Sequence, residues 1–241
     1  MQELNKKRFN HLKIHTQYSI CEGAIKIDKL KEYCKNNKIQ CLGLSDTSNL
    51  CGALEFSENI SKVGTQPIIG TQINFKYEDT LGLLPLIALN ETGYKRIIEL
   101  SSKSYLENDE LSNPHLNISE LFHKTEGVVL LSGTVNGLFG KLFEKGRFDE
   151  ISKIYKDLSS KFKDRFYLEI QRHGDHNEIS FEKYNLKKSL EHEIPLIATN
   201  EVFYLNKDMH EAHDALTCIG SKTYINEKNR IKYTDQHYLK S

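Results

Sequence analysis

The chain has 241 residues, 38% hydrophobic and 27% charged, with 33 lysines and arginines balancing 33 aspartates and glutamates, which predicts one large globular domain or two small ones. The zero net charge argues against a free-standing DNA-binding module, and five cysteines without a CxxC pair argue against a disulfide framework or a zinc knuckle. No run approaches the roughly 20 apolar residues that cross a bilayer, and the N-terminus lacks the apolar core of a secretion signal, so we expect a cytoplasmic chain without membrane contact.

Short apolar or β-branched runs recur along the chain, and each predicts a strand. In chain order these runs are His11–Thr16, Gln40–Ser45, Pro67–Phe75, Leu81–Leu89, Gly127–Ser132, Phe166–Gln171 and Pro195–Tyr204. Segments with helical spacing separate them, for example around Ile27 to Cys34 and from Phe148 to Phe162. Only four prolines and no linker-like composition occur, so we expect residues 1–241 to form a single domain.

Strands that alternate with helices over the whole length predict parallel pairing with the helices outside. Seven strands fit either a closed barrel or an open doubly wound sheet, and periodicity does not separate the two. The usual glycine-rich nucleotide-binding turns are absent, which argues against an open nucleotide-binding sheet. In a barrel, chemistry takes place at the C-terminal strand ends. Polar residues collect at these ends: His15, Thr16, Ser45, Asp46, Ser132, Gln171, Arg172, Asn200 and Glu201.

The spacing of polar residues in the first strand argues against a metal site there. Two ligands on one strand must be two residues apart, because side chains at i and i+2 share a face. His11 and His15 are four residues apart, roughly 13 Å in an extended strand, so they cannot share an ion. The residue that would pair with His15 is Lys13, whose ammonium has no lone pair to donate.

Six segments, in collinear order between about Phe9 and Ser241, resemble a known family. They are HLKIHTQYS at 11–19, LSDTSNLCGA at 44–53, PIIG at 67–70, FYLEIQRHG at 166–174, ATN at 198–200 and EAHD at 211–214. These segments resemble the N-terminal polymerase-and-histidinol-phosphatase (PHP) domain of bacterial replicative DNA polymerase III alpha subunits. The resemblance implies an α/β fold, a distorted (β/α)7 barrel similar to a TIM barrel, which agrees with the seven strands predicted above.

Family members with an intact site hold a cluster of metal ions with nine side chains. The resemblance places those nine positions, here called the relict positions, on Lys13, His15, Glu22, Thr47, Gln72, Leu83, Thr134, Glu201 and Phe203. Only three of them, His15, Glu22 and Glu201, keep a ligand side chain, too few for a di- or trinuclear centre. We therefore expect no metal, no cofactor and no catalytic residue in this chain. The residues expected beside the cleft are Asp46, Arg172 and Asn200.

Lys13 is expected to replace the lost metal charge. Its ammonium should pair with Glu22, Glu201 or Asp46, since these acids would otherwise be uncompensated buried charges.

Some of these residues also have an ordinary explanation. His15 is typical of a strand-end histidine bound to backbone, and Asp46 of a helix N-cap. His210 and His213 share one helix face and are interpreted as surface histidines.

The resemblance implies that the complete protein extends DNA primers, with magnesium held in a palm domain downstream of this chain. His237–Ser241 fall in mid-pattern for the family, so we expect an N-terminal fragment of a much longer chain. This domain is then expected to brace the rest of the alpha chain and to dock the proofreading exonuclease subunit, meeting DNA only through the full-length polymerase. The alternatives are an active metal-dependent phosphoesterase or 3′–5′ exonuclease, and a histidinol-phosphatase-like metabolic enzyme. Both require the missing ligands.

Overall fold

The computed structural model describes residues 9–109 and 112–240. Its strands and helices are, in chain order, β1 Lys13–Ile14, α1 Ile27–Asn37, β2 Cys41–Thr47, α2 Ala53–Ser61, β3 Gln66–Tyr77, β4 Thr80–Ala88, α3 Glu91–Leu106, β5 Leu116–Asn117, β6 Val128–Leu131, α4 Leu138–Glu144, α5 Phe148–Phe162, β7 Phe166–Ile170, α6 Glu178–His192, β8 Leu196–Ala198, β9 Glu201–Val202 and α7 His210–Ser221. Short 3₁₀ turns lie at Ile118–Phe122, Lys163–Arg165 and Lys207–Met209. Within these ranges no helix has both the length and the apolar character needed to cross a membrane.

The strands of the described residues form one curled sheet. Their order is β8-β7-β6-β4-β3-β2-β1-β9, with β5 attached to β3. The two outer strands, β8 and β9, are consecutive in the chain and separated only by Thr199 and Asn200, so the two edges of the sheet lie close together. The predicted barrel-like α/β fold is confirmed.

Three features of the strands differ from the prediction, and the first is β5 at Leu116–Asn117, which no predicted run covers. The seventh predicted run splits into β8 and β9, because β8 pairs with β7 whereas β9 pairs with β1. The prediction of parallel pairing throughout was wrong for β4, which runs antiparallel to both β3 and β6. Only Glu78 and Asp79 connect β3 to β4, with Glu78 at a φ of 50°. A two-residue connection makes a hairpin, since a parallel crossover needs a dozen or more residues.

The helices pack outside the sheet on two apolar clusters. The larger one includes Phe139, Tyr155 and Phe166 under α4, α5 and α6. The smaller one lies under α1 and α2 and includes Leu30 and Phe56. The amphipathic spacing of α1 and α5 is confirmed, since the residues that recur at helical intervals are the buried ones.

Alternate residues of the strands point into the barrel and form layers. At the N-terminal ends of the parallel strands the interior is an apolar cavity of about 550 Å³, whose lining includes Ile68, Val129 and Tyr167. At the opposite end lies a polar cleft of about 70 Å³. Lys13 and Glu169 lie inside the barrel with their side chains fully buried.

Candidate functional site

The polar cleft at the C-terminal strand ends brings the relict positions together. Seven of the nine line it, all except Lys13 and Thr47. Those two contact its lining, because Lys13 bonds Glu201 and Thr47 bonds Glu22. The structure therefore gathers all nine positions around one cleft.

Lys13 is the buried cation beneath this cleft. Its Nζ lies 2.7 Å from Oε2 of Glu201 and 3.0 Å from Oε1 of Glu169, and the residue is 0% exposed. The register of β1 and β9 pairs Lys13 with Glu201 directly. Burial alone would lower the pKa of Lys13, but the attraction of Glu169 and Glu201 outweighs burial and raises it. The predicted pairing with Glu201 is confirmed, whereas Glu22 and Asp46 are not its partners.

The other carboxylate oxygen of Glu201 faces His15 and Gln72. Nε2 of His15 lies 2.6 Å from this Oε1, and Nε2 of Gln72 donates to it. Burial opposes charge on both Glu201 and His15. The attraction of Lys13 and His15 nevertheless holds the pKa of Glu201 well below its usual range, and the attraction of Glu201 raises the pKa of His15. The carboxylate of Glu201 thus lies between Lys13 and His15, and Lys13 also contacts Glu169.

Thr47 and Tyr233 engage the remaining acid of the cleft, Glu22. The hydroxyl of Thr47 donates to Oε2 of Glu22 and lies 3.3 Å from Nδ1 of His15, and the Tyr233 hydroxyl lies 3.4 Å from Oε1 of Glu22. The interpretation of His15 as bound to backbone was wrong, since the hydrogen-bond partners found for its ring are side chains.

Hydrocarbon occupies two of the relict positions. Phe203 is 3% exposed, and its ring centroid lies 4.5 Å from that of His15 and 4.6 Å from that of Tyr233. Leu83 in β4 lines the same cleft. These side chains have no electron pair for an ion.

Arg172 lies outside the cleft, so the prediction that it borders the cleft was wrong. Its side chain is 81% exposed and donates to both carboxylate oxygens of Glu182, at 2.9 and 3.2 Å. The chain turns sharply after β7, with Gly174 at a φ of 80° and the backbone N–H groups of His173 and Gly174 bound to Glu178.

Asp46 and Asn200 are buried near the cleft and bind backbone. Asp46 accepts from the backbone N–H of Thr16 at 2.6 Å, and also from the hydroxyls of Thr16 and Ser19. It is therefore not an N-cap of α2, which begins at Ala53. Asn200 donates to the carbonyl of Tyr238 at 3.0 Å. Neither residue lines the cleft.

Two residues of the site differ from the sequence analysis. Glu169 was missed, although a charged residue at an inward position of a buried strand, two residues before Gln171, is a usable signal. Its Oε1 accepts from Gln171 at 2.9 Å and from Thr199. His213 was interpreted as a surface residue, which was wrong: it is 1% exposed, and its Nε2 lies 2.8 Å from the carbonyl of Glu22.

The donor set at the relict positions does not fit the metal cluster of the family. An ammonium and two hydrocarbon side chains replace three donors, and His15 and Glu201 bind each other. The cleft volume of about 70 Å³ is also far below the 300–1,000 Å³ typical of small-molecule sites.

Comparison with known proteins identifies relatives over the whole chain. The family model described as PHP domain matches residues 11–173. A protein of Caulobacter vibrioides described as DNA polymerase III subunit alpha is 35% identical over 253 residues, covering 100% of this chain and 22% of the relative. A protein of Borreliella burgdorferi with the same description is 34% identical, covering 98% of this chain and 22% of the relative. The chain thus spans about a fifth of the length of these relatives.

Two solved structures share the fold. An amidohydrolase from Chromobacterium violaceum, with bound sulfate and no metal, has a TM-score of 0.53 at 9% identity, over 80% of this chain and 87% of that chain. A two-domain protein from Bacteroides vulgatus, containing a predicted PHP-like metal-dependent phosphoesterase, has a TM-score of 0.51 at 12% identity, over 80% and 51%. At such identities the likeness shows the fold alone.

Proposed function

Because the chain belongs to the PHP domain family, we propose that residues 1–241 are the single PHP domain of a replicative DNA polymerase alpha chain and that its cleft is not catalytic. Relatives described as DNA polymerase III subunit alpha, at 34–35% identity over nearly all of this chain, support the first part. Primer extension, with its magnesium ions, belongs to the rest of that longer chain.

The single observation that carries the second part is the buried ammonium of Lys13. It lies 2.7 Å from the carboxylate of Glu201, one of the three relict positions that keep a ligand side chain. At an effective dielectric of about 20, two unit charges of like sign about 4 Å apart repel by about 4 kcal/mol, and a divalent ion would double that. The carboxylate therefore binds the ammonium in place of a metal ion.

The packing of the cleft supports the same conclusion. Phe203 fills a ligand position with an aromatic ring, and the hydroxyls of Thr47 and Tyr233 occupy both oxygens of Glu22. The space that remains is about 70 Å³, which accommodates water molecules but not a phosphate ester.

The role that remains for the domain is mechanical. Lys13, Glu169 and Glu201 join β1, β7 and β9 inside the barrel, which gives the rest of the alpha chain a rigid body to pack against. The family resemblance supports a further role as docking surface for the proofreading exonuclease subunit. In this proposal DNA is reached only through the full-length polymerase.

A metal and activity assay tests the absence of catalysis. Metal-free chain is supplied with manganese or zinc and assayed for hydrolysis of p-nitrophenyl phosphate, histidinol phosphate and single-stranded DNA ends, with an intact PHP phosphoesterase as positive control. We expect no turnover above the metal blank. Two or more tightly bound metal equivalents together with turnover that is lost in Glu201→Gln would overturn the proposal in favour of a phosphoesterase or exonuclease.

A binding assay tests the docking role. The chain is mixed with the proofreading exonuclease subunit of the same organism and examined by calorimetry and size-exclusion chromatography. We expect a saturable complex of defined stoichiometry, whereas separate elution and no heat of binding would contradict docking by this domain.

A further inference from the structure

A second group of metal-ligand side chains lies beside the relict positions without including any of them. His173, Asp175 and His237 each offer a ligand atom, and these atoms all lie within 4.8 Å of one another. His173 and Asp175 lie in the turn after β7, and His237 lies in the C-terminal segment. The histidines are 1% and 3% exposed, and Asp175 and His237 line the polar cleft.

The histidines of this group have buried nitrogens without partners. Both ring nitrogens of His237 and Nδ1 of His173 are buried and make no hydrogen bond. Nδ1 of His173 lies 3.5 Å from Oε1 of Glu178, whereas buried polar atoms are ordinarily bonded, so the two free nitrogens of His237 indicate a missing binding partner. Nε2 of His237 lies 3.9 Å from Oδ2 of Asp175, too long for a hydrogen bond. That separation is close to the roughly 3.4 Å between two ligands of a tetrahedral zinc ion.

The surroundings of His173 hold its ring in place. Nε2 of His173 lies 3.1 Å from the Asn200 side-chain oxygen and 3.2 Å from the backbone nitrogen of Glu201, which fixes the ring.

We propose that His173, Asp175 and His237 bind a single zinc ion, with water at the remaining position. Two imidazoles and one carboxylate are a donor set typical of zinc. The two rings are stacked with centroids 4.1 Å apart and an interplanar angle of 5°, so an ion would lie in the plane of only one ring. Binding therefore turns one ring out of the stack.

This ion differs from the family cluster in position and number. It joins the turn after β7 to the C-terminal segment, and it uses none of the nine relict positions. The proposal that those positions hold no catalytic cluster is therefore independent of this zinc site.

Titration of the metal-free chain with Zn²⁺ alone, and with Co²⁺ alone as a spectroscopic probe, tests the site. We expect one equivalent per chain and the visible absorption of tetrahedral cobalt. His237→Phe keeps a ring in the stack but should abolish binding, and the nearly isosteric Asp175→Asn should weaken binding at least about tenfold, because a neutral amide oxygen replaces the carboxylate ligand. His176→Phe is the matched control, since it removes an exposed imidazole next to Asp175 and should bind like the parent.

The outcomes separate the two proposals. Absence of stoichiometric binding, or binding that survives both His237→Phe and Asp175→Asn, overturns the zinc site. A bound ion that is lost in Glu201→Gln but retained in His237→Phe would lie at the relict positions and would contradict the proposed function as well. Circular dichroism verifies the folding of each variant, and Asp175→Asn decides the matter if His237→Phe does not fold.

Discussion

Replacement of Lys13 by methionine removes the buried ammonium while keeping a side chain of similar length. Glu201 and Glu169 then remain buried without the cation that lies 2.7 and 3.0 Å from them. Oε2 of Glu169 already lacks a hydrogen-bond partner, and Oε1 keeps only the neutral donors of Gln171 and Thr199. Removing one member of a buried ion pair costs about 3–5 kcal/mol, and with two carboxylates affected we expect the upper end of that range.

This loss should be large in a melting experiment. For a chain of this size, 1 kcal/mol shifts the melting temperature by about 2–4 °C, so a loss of about 5 kcal/mol lowers it by about 10–20 °C. Urea unfolding followed by circular dichroism gives the free energy directly. Lys29→Met is the matched control, because its pair with Glu32 has side chains 62% and 63% exposed and its removal should leave the melting temperature unchanged.

Two results would refute this reasoning. One is a Lys13→Met variant as stable as Lys29→Met, which would mean that the buried ammonium stabilises nothing. The other concerns a triple variant, Lys13→Met with Glu169→Gln and Glu201→Gln, in which no buried carboxylate needs a cation. This variant should recover part of the loss. A triple variant no more stable than Lys13→Met would assign the loss to packing instead of charge.

Three further predictions concern the cleft and its surroundings. The pKa of His15 is raised by Glu201 despite burial, so the stability that this pair contributes is fully present below about pH 6.5 and is lost as the pH rises through the raised value. The difference in unfolding free energy between the parent and His15→Gln, measured in urea from about pH 6 to about pH 9, should shrink with pH, and a growing difference would contradict the charged pair. Gly82→Ala places a Cβ 2.3 Å from the backbone nitrogen of Leu138, so we expect a loss of about 1–3 kcal/mol in the same assay, and full stability would show that the two segments separate easily. Arg172→Ala should change neither the melting temperature nor metal binding. A change in metal binding would indicate that Arg172 borders the cleft after all.

The strands could be predicted from the sequence better than their pairing. Gln40–Ser45 was predicted where Cys41–Thr47 forms β2, because a buried strand shows directly as an apolar run. The direction of β4 was missed although only five residues separate the two predicted runs, too few for a crossover. The prediction relied on the alternation of strands and helices along the chain, and this alternation does not tell whether neighbouring strands run parallel or antiparallel.

The candidate site shows the same division between local and distant information. The positions that follow strands, such as His15 and Glu201, could be placed at one barrel end because parallel strands present their C-terminal ends together. The contact between Lys13 and Glu169 depends on how the barrel curls, which no local pattern reveals. His237 lies in a segment without regular periodicity, so only the folded chain brings it next to His173.

The burial of Lys13 also makes its amine a reporter of barrel opening. An acylating reagent in solution reaches surface lysines at once, but it reaches the fully buried Lys13 only while the barrel interior is transiently open. When closing is fast relative to acylation, the labelling rate equals the intrinsic rate of acylation multiplied by the open fraction. Mass spectrometry of the peptide that contains Lys13 would thus measure the free energy of this opening in the native protein without denaturant.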